Sequence, residues 1–151
     1  MRVLTCVFLL LLTSAFPMNG EFGGGTGTID DPLVVEDVYD LQAIGATTDS
    51  LTLHYIQIND IDASDTSNSS STLYNDGAGF LPIGKHESLW ELREFRGSYQ
   101  GNEHVISGLF INRPDEEYIG LFGKLASGAI LEGVILEDVD ITGSVYVGAL
   151  A

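Results

Sequence analysis

Three pairs of carboxylates lie close enough in the chain to suggest a general acid beside a general base: Asp60 and Asp62, Glu116 and Glu117, and Asp138 and Asp140. The chain carries 22 acidic residues, so such pairs arise without any selection for catalysis. Asn59-Asp60-x-Asp62 and Glu137-Asp138-x-Asp140 also offer oxygen ligands of the kind calcium takes. Neither follows the EF-hand loop spacing or the glycine-aspartate nonapeptide of calcium-binding β-rolls, and turn capping explains both. Calcium is thus the one ion the pattern would admit, and no other cofactor is expected. His54, His86 and His104 are dispersed, and Cys6 is the only cysteine, so no local spacing supports zinc. There is no Gly-x-Ser-x-Gly elbow and no phosphate-cradling glycine loop followed by Lys-Ser/Thr. A polysaccharide lyase needs a base and a cation to neutralise its uronate, and this chain is poor in both. No catalytic, cofactor-binding or metal-ligating residue is therefore expected. The best candidates for a sugar or protein contact are Trp90, the only tryptophan, and its neighbours Arg93 and Arg96. A tryptophan anchoring its own loop is the plainer alternative.

The charge balance narrows the partners. Six basic residues face 22 acidic ones, a formal net charge of −16. Such a surface repels nucleic acid and anionic lipid. It suits high salt, calcium or simple colloidal solubility.

Met1-Arg2, the apolar run from Val3 to Leu12, and Thr13-Ser14-Ala15 have the layout of an export signal cleaved near Ala15. The run is too short to span a bilayer, which takes ~20 apolar residues. Cys6 would leave with it, so the exported chain would hold no disulfide and would depend on core burial. No second apolar span follows, so no membrane insertion is expected after signal removal.

The elements that must position any site are mostly short strands. Residues 16–29 read as a flexible glycine-rich leader, and residues 30–151 as the ordered unit. Asp37 can cap a two-turn helix whose Val38, Leu41 and Ile44 share one face, with Gly45 as its stop. Covering the open end of a sheet is the natural task of such a helix. From Leu51 onward the pattern is β, with strands expected over 51–61, 80–84, 95–99, 105–111, 118–122, 130–136 and 139–141. Residues 63–78 read as a polar excursion carrying Asn68-Ser69-Ser70, an N-glycosylation sequon in form. In a serine-rich loop such triplets also arise by chance. Leu121, Phe122, Ile130, Val134, Leu136, Val139 and Ile141 are expected to line a stacked interior.

Tyr118-Ile119-Gly120-Leu121-Phe122-Gly123 returns, weakened, as Tyr146-Val147-Gly148-Ala149-Leu150-Ala151 after 28 residues, as Gly120 and Gly148 show. That period lies within the roughly 20–45 residues of solenoid units, which bury their apolar faces only by stacking. A chain ending midway through a unit looks truncated, and the final rung is expected to stack on further repeats of its own chain.

Several fragments occur in order: Gly25-Thr26-Gly27-Thr28-x-Asp30-Asp31-Pro32, Asp40-Leu41-Gln42-x-Ile44, Asn59-Asp60-Ile61-Asp62, Phe80-x-Pro82-Ile83-Gly84 and Phe95-x-Gly97-x-Tyr99-x-Gly101-Asn102-x-His104-x-Ile106-x-Gly108-Leu109-x-Ile111. Gly120-Leu121-Phe122-Gly123 closes the series. This succession resembles the N-terminal part of GLUG-motif proteins, which are large secreted or surface-attached chains. The resemblance covers about Gly25 to Ala151; Ala149 and Ala151 depart from the tetrapeptide. It implies a right-handed parallel β-helix built from GLUG-type rungs; with the helix read above as its short N-terminal cap, the chain is expected to be an all-β solenoid. It also implies display outside the cell, often in adhesin-like chains or beside a separate peptidase domain, and it carries no catalytic residues.

The expected function is a secreted or cell-surface structural or adhesive module that presents loops to a protein or glycan. The alternative is the accessory N-terminal region of a secreted peptidase or polysaccharide-active enzyme whose catalytic domain lies outside this segment.

Overall fold

The structure is a computed structural model that describes residues 22–85 and 93–151. The expected signal, the start of the leader and Trp90 lie outside the described residues.

The strands are β1 (Leu33–Val35), β2 (His54–Gln57), β3 (Ile61–Asp62), β4 (Ser98–Gln100), β5 (Val105–Ser107) and β6 (Phe110–Asn112). They continue with β7 (Glu117–Ile119), β8 (Ile130–Glu132), β9 (Ile135–Glu137), β10 (Asp140–Thr142) and β11 (Val145–Val147). The helix α1 spans Val38–Ile44, and short 3-10 turns lie at Ser50–Thr52, Ser64–Ser67 and Thr72–Gly77. Every ladder between named strands is parallel. The sheet orders are β1-β2-β4-β8, β3-β5-β9, β6-β10 and β7-β11. Tyr99 pairs with Leu131, Ile106 with Leu136, Ile111 with Ile141 and Ile119 with Val147. Those offsets of 32, 30, 30 and 28 residues bring each later strand alongside its earlier equivalent. The chain is thus an all-β structure of parallel sheets with a few short helical segments.

The strands are shorter than the apolar runs suggest. The expected strand over 105–111 is broken into β5 and β6 by Gly108, and that over 130–136 into β8 and β9 by Gly133. Both glycines hold positive φ (69° and 61°), where a Cβ is strained and the chain can turn a corner in one residue. Residues 80–84 form only an isolated bridge, from Ile83 to Phe122, rather than a strand.

That bridge exposes a third copy of the tetrapeptide. Ile83 N–H donates to Leu121 O (2.9 Å) and Gly123 N–H to Ile83 O (2.8 Å). Leu121 and Phe122 N–H donate in turn to Ala149 O and Leu150 O (3.0 and 2.8 Å). Leu81-Pro82-Ile83-Gly84, Gly120–Gly123 and Gly148–Ala151 therefore lie beside one another.

The core follows from this stacking. Tyr55, Phe80, Phe95, Tyr99, Phe122, Ile61, Ile83, Ile106, Leu109 and Ile111 are completely or almost completely buried. Tyr55–Phe95, Phe95–Phe122 and Tyr99–Phe122 ring centroids lie 6.3, 5.0 and 5.8 Å apart, in tilted or edge-on contacts that favour attraction over a sandwich. The buried phenols are satisfied: Tyr99 donates to Gln57 Oε1 (2.9 Å) and Tyr55 to Ser50 O (2.7 Å). Leu121 and Phe122 are interior, as expected, while Val134, Leu136, Val139 and Ile141 are half-buried. Ile130 is not interior: it is 52% exposed, because Leu131 is the residue opposite Tyr99.

The N-terminal end is closed by local structure. From Phe22 onward the expected flexible leader is pinned along β1, with Gly23 N–H donating to Val34 O and Val34 N–H to Gly24 O, both 3.0 Å. These bonds occupy the outer edge of β1, which would otherwise be open to intermolecular pairing. The helix forms where its cap predicts: Asp37 Oδ1 accepts from Tyr39 and Asp40 N–H (2.9 and 3.0 Å). Val38, Leu41 and Ile44 are buried in the main core.

Asp40 is a buried carboxylate, 3% exposed, accepting from Glu36 N–H at 2.9 Å. Burial raises its pKa above the ordinary range, helped by the nearby Asp37 and Glu36 charges and only partly offset by the Glu36 amide. An acid raised in the folded state contributes most stability at low pH, and that contribution falls as pH rises through its unfolded and then its folded value. Asn keeps an acceptor for Glu36 and removes the charge. Asp40→Asn is therefore expected to be more stable than the wild type at neutral pH, with the difference vanishing in acid. Denaturant titrations at the two pH values check this, and equal differences at both would contradict it.

Candidate functional site

The basic residues of the described chain gather between residues 85 and 124. Lys85 pairs with Glu116, which also accepts from Arg113 Nη1 (3.2 Å). Arg113 is buried and its Nε donates to Phe80 O at 3.3 Å. Glu94 bridges Arg96 (3.2 Å) and Lys124 (3.0 Å). Lys124 Nζ also stands 5.7 Å from the centroid of the Tyr118 ring, within cation–π range.

The candidates Arg93 and Arg96 have different roles. Arg93 Nη2 donates to Gly45 O and Ala46 O, both at 3.1 Å, just past the end of α1. The guanidinium satisfies carbonyls at the negative end of the helix, tying the loop to the cap. Arg96 is half-exposed beside Glu94, and exposed pairs contribute ~0–1 kcal/mol. Arg93→Ala is expected to cost about 1–2 kcal/mol and Arg96→Ala less than about 0.5 kcal/mol, measured by denaturant midpoints. Equal losses would contradict the division. The structure thus makes Arg93 a brace and leaves Arg96 at the surface.

The paired carboxylates also separate by environment. Asp60 Oδ1 accepts from Val105 N–H (2.9 Å) and lies 3.4 Å from His104 Nδ1. Asp62 Oδ1 accepts from Ser64 N–H (2.9 Å). These backbone hydrogen bonds hold both pKa values below the ordinary range, the reverse of what a glycosidase acid requires. Glu116 is ion-paired, whereas Glu117, Asp138 and Asp140 are exposed. Among the described residues, no group of three or more His, Cys, Asp or Glu side chains converges to hold a metal ion.

His54 and Ser98 are brought together by the β2–β4 register, with Nδ1 2.8 Å from Oγ. Ser98 is buried, however, and among the described residues no carboxylate hydrogen-bonds to His54 to complete a triad. Sequence spacing gave no hint of this pair, since its members are 44 residues apart.

The outer faces distribute charge evenly. Gln100 lies opposite Glu132, Ser107 opposite both Asp62 and Glu137, and Phe110 opposite Asp140. Each carboxylate meets a neutral neighbour, which avoids the penalty of like charges directly across a ladder. Asp62 and Glu137 are thereby held two strand spacings apart, roughly 10 Å, about one Debye length at moderate salt.

One outer corner is aromatic. Tyr118 and Tyr146 occupy the middle of β7 and β11, and their rings stack at 4.9 Å with planes 13° apart. Both hold positive φ (59° and 54°), unusual for bulky side chains. Tyr146 is 65% exposed, and Val145 and Val147 beside it are also exposed. The stacking direction follows the ladder, so this column reinforces layer-on-layer contact.

Two relatives span most of the chain. Over 127 residues, 84% of the chain, it is 39% identical to Halomucin of Haloquadratum walsbyi. Over 120 residues, 78% of the chain, it is 33% identical to a protein of Evansella cellulosilytica named as a Gly-rich membrane protein. The matches span only 1% and 12% of the lengths of those relatives. No family profile matches the chain, and no solved structure matches it.

Proposed function

We propose that the chain is a non-catalytic structural or adhesive module of the cell surface or extracellular space. It forms the first layers of a right-handed parallel β-helix of the GLUG type, with α1 as its N-terminal cap. The observation that carries this reading is the register of Leu81–Gly84, Gly120–Gly123 and Gly148–Ala151, three equivalent corners hydrogen-bonded in succession. The relatives support the location: one is named as a membrane protein, and both are far longer than the stretch this chain matches. The half-buried side chains of β8–β10 and the exposed Val145, Tyr146 and Val147 form an apolar layer suited to stacking of further repeats. The rod presents the loops 63–78 and 85–94, with Trp90 and Arg96, to a protein or glycan.

Protease shaving of intact cells tests this reading. Peptides from residues 63–78 should appear in the supernatant while a cytosolic marker stays inside. Recovery of the chain only from the cytosol would contradict it.

A further inference from the structure

The excursion over residues 63–78 departs from the layers, yet it is held at both ends. Thr66 is buried; its Oγ1 donates to Ala63 O (2.6 Å) and accepts from Phe110 N–H (2.9 Å). Tyr39 OH donates to Asp65 Oδ2 (2.8 Å) and lies 3.4 Å from Ser71 Oγ, while Leu73 is buried. Between these anchors Ser67, Asn68, Ser69 and Ser70 are all exposed. The tip is a closed turn in which Ser71 N–H donates to Asn68 O (2.8 Å). Asn68 Oδ1 accepts from Ser70 N–H (3.0 Å), so the first and third residues of Asn68-Ser69-Ser70 are hydrogen-bonded to each other. The Nδ2 group has one long contact, to Asp65 Oδ1 at 3.4 Å.

We propose that Asn68 is an N-glycan attachment site. The proposal rests on the export reading above, since the transfer takes place outside the cytosol. The donor is a sugar linked through phosphate to a lipid carrier. Asn68 Nδ2 forms a bond to the anomeric carbon, and the bond from that carbon to the phosphate oxygen breaks. The lipid phosphate leaves with the electron pair, and one Nδ2 proton passes to a base of the transferase. Nothing is oxidised or reduced.

The fold accepts the product. An N-linked asparagine keeps its Oδ1 acceptor, so the bond from Ser70 N–H survives, and one Nδ2–H remains as a donor. The glycan projects from an exposed tip anchored below, where it meets no ladder edge and displaces no core residue.

Mass spectrometry of the peptide containing Asn68, from protein recovered from its own host's medium or cell surface, tests the proposal. The expected result is an oligosaccharide increment on Asn68 that is lost in Asn68→Gln and in Ser70→Ala but kept in Ser70→Thr. An unmodified Asn68 in protein found outside the cell would overturn the proposal while leaving the export reading intact. An unmodified Asn68 in protein confined to the cytosol would overturn both.

Discussion

Gly97→Ala is expected to lower the melting temperature by roughly 10 °C, from a loss of about 3 kcal/mol. Gly97 is buried at the entry to β4, where a Cβ would fall far inside contact distance of Leu53 O on the adjoining layer. The obstacle is backbone, so no rotamer change relieves it. β4 would have to move away from β2, weakening the pairing of His54 with Ser98 and of Tyr55 with Tyr99. Gly24→Ala is the control, because a Cβ there meets nothing within 4 Å. It should change stability by less than about 0.5 kcal/mol. Thermal melts of both variants would contradict the account if they moved together.

Phe122→Ala should be costlier, about 3–5 kcal/mol by denaturant titration. The ring is fully buried between Phe95 at 5.0 Å and Tyr99 at 5.8 Å, and its N–H joins Gly120–Gly123 to Gly148–Ala151 by donating to Leu150 O. Truncation removes apolar area and leaves a cavity that rigid neighbouring rings cannot fill. Phe122→Leu should lose clearly less, because much of the volume is retained. A loss below about 1 kcal/mol for Phe122→Ala would mean that the aromatic cluster is not the centre of the core.

Local signals were legible in the sequence. The α1 start follows from Asp37 because capping involves residues only two and three positions away. The 28-residue echo of the tetrapeptide is matched by hydrogen bonds from Leu121 to Ala149 and from Phe122 to Leu150. Non-local features were not legible. Leu81–Gly84 is not legible as an equivalent copy because its offset is 39 residues rather than 28, Ile83 pairing with Phe122. Ile130 could not be placed on the outer face, because the apolar run Ala129-Ile130-Leu131 has no alternation to set its parity. Only the partner strand, 32 residues earlier, decides it.

The candidate site was less legible still. The Trp90-Arg93-Arg96 grouping comes from nearness in sequence, whereas Arg93 is committed to carbonyls 47 and 48 residues away. The shared use of Glu94 by Arg96 and Lys124, and of Glu116 by Lys85 and Arg113, likewise depends on contacts between segments about 30 residues apart that only the parallel pairing brings together.

The stacking is tested most directly by a disulfide across one ladder. Ser107 and Glu137 are opposed on β5 and β9, where adjacent strands run ~4.8 Å apart, inside the Cα range of disulfides. In a chain carrying Cys6→Ser, the pair Ser107→Cys with Glu137→Cys should oxidise readily while folded. The pair Ser107→Cys with Asp140→Cys should not, because β10 lies beside β6 instead. Cross-linking of the first pair alone is the predicted result; failure of that pair, or equal cross-linking of the second, would contradict the layered account.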